Sequence, residues 1–202
     1  MTRLRWEPDA GWLAGARRVP SPNFDARPAG ARVDLLVVHH ISLPAGRFSG
    51  DAIERLFTNR LAPDAHPSFA ALGALRVSVH FLIRRRGELL QFVDADARAW
   101  HAGASRFRGR ERCNDFSIGV ELEGDGEHPF TQAQYARLAA LATVLAQRYP
   151  LRWAAGHSDI APGRKTDPGP TFEWPRFLAG ARATRITRPF RPGSRAGSRS
   201  GS

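Results

Sequence analysis

The chain has 202 residues, with 42% hydrophobic and 24% charged residues and a net charge of +11. That length suits one full-sized domain rather than two, and the composition is that of an ordinary soluble globular protein. A single cysteine, Cys113, excludes an intrachain disulfide, the opening residues hold no apolar run of signal-peptide length, and no later stretch approaches a membrane span, so a cytoplasmic chain with no membrane partner is expected.

Residues 1–32 are rich in Pro, Arg and Gly and lack a clear period. They read as an extended segment packed on the domain surface. Asp34–Ile41 is a continuous apolar run ending in two histidines, as expected of a strand buried on both faces. His39 and His40 then point to opposite faces, so only one of them can serve a given site. Asp51–Thr58 has apolar residues at helical spacing. Val77–Ile83 and Glu88–Val93 read as two strands joined by a turn at Arg86–Gly87, and His80, alternating with apolar neighbours, reads as a buried core histidine.

Arg98–Gly103 places Trp100 beside His101 ahead of a glycine turn. The indole suits the wall of a ligand cleft or the core equally well. A charged loop over 108–115 holds Cys113 and leads into the alternating strand Ser117–Glu123. Glu121 and Glu123 share one face of that strand, and Ile118, Val120 and Leu122 the other. Such a carboxylate face is ordinarily solvated and becomes interesting only if it closes over the loop that follows. Thr131 and Gln134 form a capping-box pattern that opens a helix to about Tyr149, ended by Pro150.

Gly156–Pro170 packs His157, Asp159, Arg164, Lys165 and Asp167 into a frame of glycines and prolines. Pro162, Pro168 and Pro170 lack an N–H donor, so a rigid loop is expected, neither helix nor central strand. Lys165 is the only lysine of the chain and its one source of a compact ammonium group. Phe172–Gly180 reads as a short closing helix with Pro175 in its first turn. Residues 184–202 carry five arginines and no acid. They are expected to be a disordered, solubilising basic tail, with no specific nucleic-acid partner. The order of elements predicts a single α/β (α+β) domain with a central mixed sheet flanked by helices.

His157 and Asp167 make a plausible pair of zinc ligands. Two imidazoles and a carboxylate with a fourth position left to water form a hydrolytic zinc set, whereas closed structural sites favour four protein ligands. Such a site needs a carboxylate to move a proton and a cation at the developing oxyanion. The candidates are His39, His157 and Asp167 as ligands, Glu121 as base and Lys165 as the cation. Spacing alone makes this weak, because the ligands come from distant segments.

Leu36–His39 with Ile41–Pro44, Arg110–Gly124, and Gly156–His157 with Arg164–Pro170 closely resemble the AmpD family, the cytoplasmic N-acetylmuramyl-L-alanine amidases of peptidoglycan recycling. The similarity runs in order from about Val33 to Phe177. It implies the amidase_2, or peptidoglycan-recognition-protein-like, fold over 33–183 with one zinc ion. It also implies hydrolysis of the lactyl-amide bond between 1,6-anhydro-N-acetylmuramic acid and L-alanine, with an anhydromuropeptide as substrate; the protein is expected to be a monomer. By position His39, His157 and Asp167 match the zinc ligands, Glu121 the catalytic acid/base and Lys165 the transition-state stabiliser. Arg76, Trp100, Arg112 and Arg164 fall where the family has substrate-contacting or cleft-lining residues. His40 departs from the asparagine common at that place.

Two other readings are possible. Cys113 could act as a nucleophile in a different enzyme class, although its loop resembles no cysteine hydrolase. A muropeptide-binding module of the same fold would lack a ligand or the catalytic acid, and this chain keeps both.

Overall fold

The computed structural model describes residues 2–8 and 10–190. Its centre is a six-stranded sheet made of β1 (Arg17–Arg18), β2 (Leu35–Ile41), β3 (Phe81–Ile83), β4 (Leu89–Gln91), β5 (Ser117–Glu123) and β6 (Trp153–Gly156). The spatial order is β6-β2-β5-β3-β4-β1, parallel throughout except for the β3–β4 hairpin. This is the expected mixed sheet. The hairpin turns at Gly87, whose φ of +80° explains a glycine there. Both predicted hairpin strands are trimmed by the structure, and Val77–His80 runs in ahead of β3 without pairing as a strand.

Alternation along the strands sorts the core onto two faces. Leu36, Val38, Phe81, Ile83, Ile118, Val120 and Leu122 face α2 (Gln132–Arg148) and α4 (Trp174–Gly180), meeting Tyr135, Leu138, Leu141, Leu145 and Phe177. The opposite face packs in two parts. Leu82 and Leu90 sit under α1 (Ala52–Phe57), with Ile53, Leu56 and Phe57. Leu35 and Val37 meet Phe107, Cys113, Phe116 and Ile160. Helix α2 begins as its sequence dictates: Thr131 Oγ1 accepts from the Gln134 amide while Gln134 Oε1 accepts from the Thr131 amide.

Three expectations are corrected. Strand β6 was not foreseen; its Trp-Ala-Ala-Gly sequence has no apolar alternation, and pairing with β2 makes it a strand. The proline-framed loop opens with one helical turn, α3 (His157–Ile160), because all three prolines lie beyond it and Asp159 Oδ2 accepts from the Gly156 amide at 2.8 Å. Of the basic tail expected over 184–202, residues 184–190 pack on the domain. Ile186 is buried, Thr187 pairs with the backbone of β6, and Arg188 joins Asp159. Residues 191–202 lie outside the described residues. Arg17 and Arg18 of the N-terminal segment form β1 at the sheet edge, pairing with β4.

Candidate metal centre

Three parallel strands deliver the site at their C-terminal ends, where parallel sheets gather ligands. In register, Glu121 of β5 lies opposite His39 of β2, and Gly156 of β6 lies opposite Val38. His157, the next residue, therefore emerges beside His39. Asp167 returns from the loop, which the Ser158 amide ties back by a 2.8 Å bond to the Asp167 carbonyl. Close packing at this junction requires a glycine, since a Cβ on Gly156 would stand 2.7 Å from Pro168 Cδ.

The three side chains converge tightly. His39 Nδ1 is 3.0 Å from both His157 Nδ1 and Asp167 Oδ2, and His157 Nδ1 is 3.1 Å from the same carboxylate oxygen. His157 Nε2 lies 3.1 Å from the Ala102 carbonyl. A carbonyl only accepts, so Nε2 holds the proton and Nδ1 presents a bare lone pair. Burial pushes His39 down to about 4, so at neutral pH it carries no charge. Acceptors meeting at such distances repel one another unless a cation joins them. Two imidazole nitrogens and one carboxylate oxygen are a donor set suited to zinc with a position left open, so the residues fit a metal ion.

The family follows from comparison with known proteins. The family model described as N-acetylmuramoyl-L-alanine amidase matches residues 29–170. The chain belongs to the N-acetylmuramoyl-L-alanine amidase family. The amidase is 59% identical over 174 residues to 1,6-anhydro-N-acetylmuramyl-L-alanine amidase AmpD of Salmonella typhimurium strain SL1344, covering 85% of this chain and 93% of that protein. It superposes on the crystal structure of a Se-Met AmpD derivative with a TM-score of 0.83 at 56% identity, covering 87% of this chain and 99% of the other. The Escherichia coli amidase AmiD, solved with the substrate anhydro-N-acetylmuramic acid-L-Ala-D-gamma-Glu-L-Lys, is similar at a TM-score of 0.55 and 28% identity, over 88% of this chain and 65% of that one.

Beside His39, His157 and Asp167, the amidase places Glu121 with Oε2 enclosed and without a hydrogen-bond partner among the described residues. Burial pushes its carboxyl well above the ordinary range, the Asp167 charge adds to that, and the Lys165 charge opposes it. Lys165 is exposed, and its ammonium makes no ion pair among the described residues. Glu123 shares the strand face but not the site. It is buried, with Oε1 2.8 Å from Arg84 Nη1 and Oε2 accepting from the Arg85 amide, so the face is covered rather than solvated. His40 turns the other way, with Nδ1 3.2 Å from the Gly124 carbonyl.

The remaining candidates separate by position. Arg164 folds over the segment after His101, its Nη2 donating to the carbonyls of Ala102 and Ala104. Trp100 is half-buried beside His101, and its Nε1 is enclosed without a partner. Arg112 stands exposed in the left-handed region at φ +56°, with Nε 3.2 Å from Asp115 Oδ2. Among the described residues, Arg76 donates to the Gly73 and Leu75 carbonyls of its own loop. His80 is the buried core histidine expected, accepting at Nδ1 from the Gly119 amide. Cys113 is buried, and burial pushes its thiol up, which makes a poor nucleophile. Sequence reasoning passed over His101 and the Ala102 carbonyl, the groups touching the far sides of the two histidines; a glycine at 119 inside a buried strand was the available sign of a ring pressed against it.

Proposed function

We propose that this amidase hydrolyses the bond between the lactyl carbonyl of 1,6-anhydro-N-acetylmuramic acid and the nitrogen of L-alanine, using one zinc ion held by His39, His157 and Asp167. The observation behind this reading is the meeting of three metal-ligand atoms, from His39, His157 and Asp167, near a carboxylate, Glu121, whose Oε2 is enclosed and without a partner among the described residues. The named substrates of its AmpD and AmiD relatives point to the same bond.

Zinc, when bound, polarises a carbonyl and acidifies a water. The chain's own residues do the rest. Glu121 takes a proton from the attacking water and returns it to the alanine nitrogen as the C–N bond breaks, a shuttle suited to a carboxyl whose proton affinity burial has raised. Lys165 offers an unpaired ammonium to the carbonyl oxygen as negative charge builds there. Trp100 gives the sugar a flat apolar wall. Arg112, Arg164 and Arg76 supply guanidinium groups for the carboxylates of the stem peptide. We place the enzyme, as a monomer, in the cytoplasmic recycling of anhydromuropeptides.

The test is an assay on anhydromuramyl-tripeptide read by mass spectrometry, before and after chelation and zinc add-back. Free tripeptide should appear, vanish on chelation and return with zinc. Folded, zinc-loaded protein that releases none would sink the proposal.

A further inference from the structure

Both histidine ligands are supported from behind by two consecutive residues. The amides of His101 and Ala102 donate to Asn114 Oδ1 at 3.2 and 2.8 Å, which fixes this short segment against the sheet. Ala102 then receives His157 Nε2 on its carbonyl. His39 Nε2, in turn, lies 2.9 Å from His101 Nδ1. A contact between two imidazole nitrogens leaves the proton unassigned until something further out decides it.

The decision comes from Ser117. Its hydroxyl donates to the Cys113 carbonyl at 2.5 Å, so toward His101 Nε2, 3.2 Å away, it can only accept. His101 therefore carries its proton on Nε2 and has a lone pair on Nδ1. That lone pair takes the Nε2 proton of His39, and His39 is left with a bare Nδ1 toward His157 and Asp167. The ring of His101 has no room to turn away. A Cβ on Gly119 would lie 2.5 Å from His101 Cγ, so β5 presses its backbone against the imidazole. His80 packs edge-on against the same ring at 5.7 Å.

We propose that His101 is a positioning residue for the metal centre: it accepts the Nε2 proton of His39 and so holds His39 in the tautomer and ring orientation that aims Nδ1 at the metal. The chain runs from the Cys113 carbonyl through Ser117, His101 and His39 to the ion. Groups that accept the second N–H of a histidine ligand typically set metal affinity by about 10–100-fold. Here an imidazole fills a role more often given to a carboxylate or a carbonyl.

The inference rests on His39 being a zinc ligand, and its test separates the two. Zinc affinity is measured by chelator competition on the wild type, His101→Phe and His101→Asn, with metal-free thermal stability recorded alongside. Phe keeps a ring but removes the acceptor, whereas Asn places Oδ1 near the position of Nδ1. His101→Phe should lose about 10–100-fold in zinc affinity, and His101→Asn should recover most of it. Equal affinity in folded His101→Phe would overturn the proposal while leaving the zinc reading intact, whereas a wild type that binds no zinc would remove both. Should His101→Phe fail to fold, ring-nitrogen NMR of zinc-loaded wild type decides. A proton on Nε2 of His101 upholds the relay, and one on Nδ1 overturns it.

Discussion

Glu121, the proposed acid/base, owes its environment to its strand position. It sits in β5 opposite His39, where burial raises its carboxyl and the Asp167 charge adds to the effect. Glu121→Gln keeps the shape and removes the proton carrier. Turnover should fall by about 10²–10⁴-fold, the usual contribution of general acid–base catalysis, with zinc content unchanged. Near wild-type turnover would move the proton transfer to another group. Much of this was legible in the chain. Alternation turns His39 but not His40 toward His157 and Asp167, and the loop with the sole lysine supplies both of those partners. The support behind the ligands was not legible, because His101, Ser117 and Asn114 are ordinary polar residues until folding brings them behind His39.

At the level of elements, the sequence spoke wherever a local rule applied. Thr131 and Gln134 mark the start of α2 by themselves, since each caps the other's amide. Strand β6 and the turn of α3 obey no local pattern; one exists through pairing with β2, the other through Asp159 reaching back to Gly156. The cap permits a quantitative test. Thr131→Ala should cost ~1 kcal/mol in urea unfolding, as lost N-caps do. Gln134→Ala should cost more, because Gln134 Nε2 also donates to the buried carbonyls of Ile83 and Glu123, tying α2 to the sheet. Equal losses would mean that water replaces those two bonds at no cost.

Over the whole molecule, the buried histidines make stability depend on pH. His80 is pushed down to about 3 from an ordinary 6.5, first by burial and then by the Arg27 guanidinium, with the Ala97 carbonyl opposing and His39 adding a little. The nearest charged group is Arg27, its Nη2 3.1 Å from His80 Nε2, and the neutral ring of His101 packs edge-on. A histidine whose proton affinity is lower when folded contributes stability that is complete above pH 6.5 and lost as pH falls toward 3. The loss is ~1.4 kcal/mol per pH unit for one such group. His80→Asn keeps an acceptor for the Gly119 amide and removes the titration. Its stability should fall less steeply than that of the wild type between pH 6.5 and about 4, and parallel slopes would show that His80 does not drive the acid sensitivity.

Residues 184–190 link the outer edge of the sheet to the candidate metal centre. Thr187 donates its amide to the Arg152 carbonyl and accepts from the Ala154 amide, both at 2.9 Å, so it runs beside β6 and covers an otherwise open edge. Arg188 Nη2 then meets both oxygens of Asp159 at 2.9 and 3.0 Å, and the same carboxylate caps the Gly156 amide immediately before His157. Arg188, expected in a free tail, thus braces the turn that carries His157. Ending the chain after 190 should leave stability and zinc affinity at full-length values. Ending it after 183 removes the Arg188–Asp159 bonds, and charge-assisted bonds of this kind contribute about 1.5–3 kcal/mol; zinc affinity should fall with stability, because His157 loses the brace on its turn. If the shorter chain unfolds more easily yet binds zinc as tightly as the full-length protein, the segment protects the sheet edge and leaves the metal centre alone.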